Sequence, residues 1–321
     1  MPLTRRTAFA LPFLAALPAD AADWPARPLR ILVPFAAGGP ADGLARMLAE
    51  QFSPKLGQPV VVENRPGAGG IIGTAAAAAA NDGHTLLFGS ISMTIVPHLQ
   101  AQPASYDVVR DFVPLGLVGS TPFLAVVPAA SPIRDVAGLI AAARPGSRAP
   151  VTAANSGNGT LSHLAAELFN ARTGSQIESV TYRGEGVLMP DLLNGTIGMG
   201  FLTLSSVLPH IRAGRLRALA VAGPERLPEL PEVPSFAEAG VAGLEVDGWQ
   251  ALFAPLITPP EAVARVTALL QEAMTDPAVR ARIAGFGVQP GTRDRAAFAT
   301  LFPEEFRRWG ELVRARGIRA E

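Results

Sequence analysis

The chain of 321 residues has no cysteine, and Lys55 is its only lysine. Without thiols there are no cysteine nucleophiles, disulfides, iron–sulfur clusters or sulfur-ligated zinc sites. Any lysine-dependent mechanism has to run through Lys55. Histidine is scarce as well, at His84, His98, His163 and His210. No pair has HExxH spacing or a tight carboxylate cluster, so no metal and no cofactor are expected. Charge of one sign is not in excess: 27 basic residues balance 27 acidic ones. That balance lacks the basic footprint of a nucleic-acid binder. Beyond the N-terminus no eighteen apolar residues run together, so no later segment is expected to span a membrane.

What is present begins with a leader. "MPLTRRTAFALPFLAALPADAA" has Arg5 and Arg6, an apolar run from Ala8 to Leu17, and an A-x-A pattern at Ala19 and Ala21. Residues 1–22 read as an export signal cleaved near Ala21 or Ala22. The arginine pair fits either a Sec or a twin-arginine route.

The rest is hydrophobic enough for a packed core, at 49% apolar and 17% charged residues. Strand, loop and helix recur in that order. "RILVPFAAGGPADGLARMLAEQFSPKLG" has a short apolar run followed by Leu44, Met47, Leu48 and Phe52 at helical spacing, with Gly57 as its C-cap. "PVVVEN" and "HTLLFGS" are further strands. The rhythm restarts at "PVTAANSGNGTLSHLAAELFNARTG" and continues through "IESVTYRG", "IGMGFLT" and "LRALAVAG". A helix is expected from Pro260 to Met274 and a last amphipathic one from Arg295 to Arg316. The pattern predicts an α/β fold of two lobes, each a mainly parallel sheet flanked by helices, joined by extended crossovers. Ligands of such sheets bind beyond the carboxyl ends of the strands.

Four loops at those ends carry candidate chemistry. "ENRPGAGGIIG" suggests a dinucleotide loop, but Ile72 stands where G-x-G-x-x-G needs its last glycine, and no Lys-Ser/Thr pair follows. "PFAAGGPADG" puts Gly38 and Gly39 before a helix start. There Asp42 is either a first-turn charge or part of an anion cradle. "NSGNGTLSH" offers Ser156, Asn158 and Thr160, with the N–H groups of Gly159 and Thr160 expected to be free. Thr160 is also a good N-cap. A hydrolase elbow would need G-x-S-x-G around Ser156, and Ala154 and Asn158 replace those glycines. His163 reads as a buried, hydrogen-bonded side chain more readily than as a base. Arg183, in "TYRGEG", is either a surface arginine or an anion partner.

The order "RPLRILVPFAAGGPADGLAR", "VVVENRPGAGGIIG", "NDGHTLLFGS", "NSGNGTLSHLAAELF", "YRG", "DLLNG", "LPHIRAGRLRALAVAG", "LPELPEVPSF" and "GWQALFAP" resembles the Bug family of extracytoplasmic solute receptors. The resemblance covers the mature chain. It implies a periplasmic, monomeric, non-enzymatic receptor with type II-like Venus-flytrap closure. Lobe 1 would comprise residues 23–120 and 223–295, lobe 2 residues 121–222, and residues 296–321 a helix packing on both. The implied ligand is a small organic carboxylate. The implied partners are the membrane subunits of a tripartite tricarboxylate transporter, or a sensor protein. Phe35, Ala36, Gly38, Gly39, Ala41 and Asp42 would hold one carboxylate with Asn155, Ser156, Asn158, Gly159, Thr160 and His163 opposite. Ser90 would line the same pocket, and Arg183, Leu202 and Thr203 would face the rest of the ligand. Ala68 or Gly69 would reach ligand or its water. Leu202 replaces an acid common in the family, which implies a plain or aromatic carboxylate instead of an amino acid. That ligand would lie against Leu202 and Val187 or Leu188. An exported Ser–His hydrolase is the enzymatic alternative.

Overall fold

The computed structural model describes residues 24–147, 149–292 and 294–319, so the leader expected over residues 1–22 lies outside them. The first sheet contains β1 (Leu29–Val33), β2 (Val60–Asn64), β3 (Thr85–Ser90), β4 (Phe112–Ser120), β10 (Gln250–Pro255) and β11 (Gln289–Pro290). The second contains β5 (Phe123–Pro128), β6 (Thr152–Asn155), β7 (Glu178–Thr181), β8 (Met199–Thr203) and β9 (Leu216–Val221). Their orders are β11-β4-β10-β3-β1-β2 and β7-β6-β8-β5-β9.

Each sheet has four strands pointing one way, with β10 and β11 reversed in the first and β5 reversed in the second. β1 pairs in parallel with β2 and β3, while β10 runs antiparallel to β3 and β4. In the second sheet β6 is parallel to β7 and β8, and β5 is antiparallel to β8 and β9. The crossovers explain this. β4 leaves the first sheet at the same end as β3, so β5 enters the second sheet from that end and must run the opposite way. β10 does the same on the return.

Helices cover both faces of each sheet. They are α1 (Pro40–Leu56), α2 (Ile71–Ala78), α3 (Ser92–Leu99), α4 (Val136–Ala142), α5 (Leu161–Thr173), α6 (Glu185–Leu193), α7 (Leu204–Arg212), α8 (Pro260–Thr275), α9 (Pro277–Gly285) and α10 (Arg295–Arg316). The two-residue strand period sorts the core. Leu29, Ile31 and Val33 pack with α1 and α8, whereas Leu32 points into the opposite cluster. That opposite cluster runs on into the second sheet through Ala125, Val127, Met199 and Phe201. Its aromatic spine includes Trp249, Phe253, Phe298 and Phe302, with ring centroids 4.9–6.2 Å apart. One continuous apolar layer therefore ties the sheets together on the α3, α5 and α10 side. A third cluster, with Leu124, Val126 and Leu202, packs beneath α6 and α7.

The two crossovers are stitched to each other. Gly248 N–H donates to Thr121 O at 3.1 Å and Val246 N–H to Ala222 O at 2.7 Å, beside a bridge between Pro122 and Asp247. A Cβ at Gly248 would lie 3.2 Å from Thr121 O, so glycine permits this close approach.

Candidate functional site

The carboxyl ends of β1, β2 and β3 face that of β6. Between them lies a cavity of about 660 Å³, lined from the first sheet's side by Phe35, Ala68, Gly69 and α3, and from the second by Asn158, Gly159, Thr160 and Leu161. Such a volume suits a small organic ligand.

The loop after β1 is held rigid from behind. Asp42 is only 4% exposed. Its Oδ2 accepts from Gly38 N–H at 2.9 Å and from Arg46 Nε at 3.1 Å. Arg46 also donates to Asn64 Oδ1 at 3.2 Å, and Asn64 Nδ2 donates to Phe35 O at 3.1 Å. The Arg46 hydrogen bond, outweighing the burial that opposes it, holds the Asp42 carboxyl below its usual range. Asp42 thus braces the loop, which uses the Gly38 N–H internally. Pro40 opens α1 without an N–H of its own. The N–H groups of Gly39, Ala41 and Asp42 have no acceptor among the described residues. Ala36 and Gly38 are exposed, and of this loop only Phe35 reaches the cavity wall.

The loop after β2 is a single tight turn over Ala68–Gly70 with a positive φ at Gly67, Ala68, Gly69 and Gly70. Ala68, at φ 48, is the one non-glycine with a positive φ among the described residues, and it lines the cavity. A left-handed alanine costs roughly 1–2 kcal/mol, a strain that clusters at ligand sites.

Across the cavity, the loop after β6 differs from expectation in two ways. The N–H groups of Gly159 and Thr160 are not free: they donate to His163 Nδ1 at 3.0 Å and to Gly157 O at 3.2 Å. The Asn158 amide donates to Arg319 O at 2.9 Å, tying the loop to the chain's C-terminal segment. Asn155 is buried, accepting from Gly157 N–H at 3.0 Å and donating to Thr181 Oγ1 at 3.3 Å. Thr160 caps α5 as predicted. Ser156 Oγ lies 3.4 Å from Thr160 Oγ1, and His163 accepts from Gly159 instead of Ser156. The Ser156–His163 pair of the hydrolase alternative therefore does not form. Burial lowers the His163 pKa, against the opposing charge of Glu167.

Leu202, Thr203 and Arg183 do not meet the cavity. Leu202 and Leu188 are 0% exposed inside the third apolar cluster, and Val187 is 61% exposed. The apolar wall expected there lies instead on α3. Thr203, at the N-cap position of α7, spends its hydroxyl on Glu185, whose carboxylate accepts from its N–H at 3.1 Å and its hydroxyl at 2.6 Å. Arg183 is exposed and makes no ion pair among the described residues. Ser90 acts one step back, its Oγ 2.8 Å from Ser92 Oγ, and Ser92 lines the cavity.

The residues that sequence reasoning missed are those of α3 and its two caps: Ile91, Ser92, Ile95, Val96, Leu99 and Gln100. Their helical spacing was a usable signal, masked by Pro97 within the helix. Glu185 was missed as a partner of Thr203.

Residues 44–318 match TctC, the tripartite tricarboxylate transporter family receptor. The chain is similar to the protein BugT of Bordetella pertussis, at 38% identity over 95% of this chain and 94% of that one. Among solved structures it is similar to a TctC solute-binding protein from Polaromonas, with TM-score 0.81 and 26% identity, covering 91% of this chain and 99% of that one. It is also similar to an R. palustris protein solved with adipate, with TM-score 0.71 and 32% identity, covering 93% and 100%. A further Rhodopseudomonas palustris neighbour, MatC with bound malate, has TM-score 0.68 and 30% identity, covering 90% and 100%.

Proposed function

Because the chain belongs to the tripartite tricarboxylate transporter receptor family, and so to solute receptors and not enzymes, we propose that it delivers a small carboxylated solute from the periplasm to a transporter of that class. The observation that carries this reading is the cavity walled by strand-end loops of both sheets. Neighbours solved with adipate and malate support a carboxylate ligand.

The geometry suggests how capture works. On the first sheet's side the cavity offers an anion the open Gly69 N–H and the Ser90–Ser92 hydroxyl pair. Leu161 and the uncharged Asn158 amide sit across the cleft on the other sheet. Charge-assisted hydrogen bonds to such donors are worth about 1.5–3 kcal/mol each. Only a closed arrangement lets one ligand use both sets, so ligand shifts the population toward closure. The crossovers, stitched by a few backbone bonds, are the natural axis, and the closed form is the one a membrane partner would read.

Native mass spectrometry of the purified chain should show a co-purified carboxylic acid. Small-angle scattering should show a smaller radius of gyration once ligand is added to stripped protein. A chain that binds no carboxylate from a broad panel, and does not compact, would overturn the proposal.

A further inference from the structure

The cavity has chemistry of its own that narrows the ligand class, resting on the receptor reading above. Among the described residues its wall carries no aspartate, glutamate, lysine, arginine or histidine. Ile91, before α3, and Ile95, Val96 and Leu99 within it form one side, and Leu161 closes the other. Gly69 packs directly on this wall: a Cβ there would lie 3.0 Å from Val96 Cγ1.

Polar capacity gathers at one end. Ser90 and Ser92 bring two hydroxyl protons, and their mutual 2.8 Å bond uses one of them. The other remains to be donated. The glycine turn lies at this same end, since a Cβ at Gly70 would stand 3.7 Å from Ser92 Oγ. The Gly69 N–H has no acceptor among the described residues. From Ser92 the apolar face runs to Leu99, about 10 Å at the helical rise per residue. At that far end stand only uncharged amides, Gln100 and Asn158, the latter already giving one of its two N–H groups to Arg319 O.

We infer that the ligand is a monocarboxylate with an apolar aryl or medium-chain alkyl body. Its carboxylate sits at Ser92 and the Gly69 turn, and its body lies along α3 toward Leu99. A second carboxylate would be desolvated at the Leu99 end without a cation, and an α-ammonium would find no acid partner in the wall.

Calorimetric titration of the stripped full chain with 3-phenylpropionate, octanoate, adipate, malate and glutamate tests this. The two monocarboxylates should bind at least about tenfold tighter than the other three, a gap worth about 1.4 kcal/mol. Ser92→Ala should weaken 3-phenylpropionate about tenfold. Val96→Lys, on the partly exposed wall position, should reverse the preference by giving adipate a cation. Circular dichroism melts verify that both variants fold. Adipate, malate or glutamate binding wild type as tightly as 3-phenylpropionate overturns the ligand class and leaves the receptor reading standing. Unchanged affinity in Ser92→Ala overturns the placement of the carboxylate. Binding of none of the five overturns both readings.

Discussion

His163 Nδ1 accepts the Gly159 N–H, so protonation there removes the acceptor that fixes the loop after β6. Its other nitrogen lies 3.9 Å from Glu167, whose carboxylate also pairs with Arg316 of α10. Burial lowers the His163 pKa below its ordinary 6.5, more than Glu167 raises it. His98 is lowered too, by burial first, with its Nε2 donating to Phe306 O and Arg314 nearby. The sign follows from linkage. The unfolded chain takes up these protons first, so the stability tied to neutral histidine is complete above about 6.5. It is lost as pH falls from there toward the lowered folded values. Urea midpoints should therefore drop on acidification from neutral pH. In His163→Asn, whose amide oxygen can accept the same N–H, the drop should be smaller. An identical pH slope in that variant would dismiss the assignment. The sequence did suggest a hydrogen-bonded His163, but not its partner, because a backbone donor within a turn leaves no mark on residue type.

At the scale of elements, the glycine-rich stretch after β2 shows what a motif conceals. Read as a fingerprint it fails at Ile72. In three dimensions the next glycine, Gly73, is the one with no room: a Cβ would lie 2.7 Å from both Arg65 O and Pro34 Cα. Gly73→Ala should thus destabilise the chain by about 1–3 kcal/mol, the usual cost of overpacking, read as a lower urea midpoint without a changed slope. α10 was legible to the residue, since its amphipathic run ends where Gly317 takes a left-handed φ of 62°. Gly57 and Thr160 were legible as caps for the same local reasons. α3 was not, because Pro97 interrupts its pattern, and with it went the wall of the cavity. Strand direction was hidden for a non-local reason. Alternating strands and helices imply parallel pairing, and only knowing which sheet a crossover rejoins reveals that β5 and β10 run backwards.

On the scale of the molecule, Gly159 approaches Leu99 closely across the cleft, and a Cβ there would fall 2.5 Å from Leu99 Cδ1. Gly159→Val therefore adds a wedge instead of deleting a contact, on top of the strain at φ 71. The variant should hold the lobes apart, giving a larger radius of gyration that ligand no longer reduces. Adding Leu99→Ala should restore compaction in scattering. A Gly159→Val chain that closes normally would show that the approach does not limit closure.

The tail of the molecule has a practical use. α10 is anchored on the first sheet's side by Gly310 against the His98 ring, yet its end reaches the opposite lobe through Arg316 with Glu167 and Arg319 O with Asn158. Since the chain contains no cysteine, a single one introduced near Ile318 would be its sole thiol. A polarity-sensitive dye attached there would sit beside the loop that walls the cavity, turning the receptor into an optical sensor for its own solute.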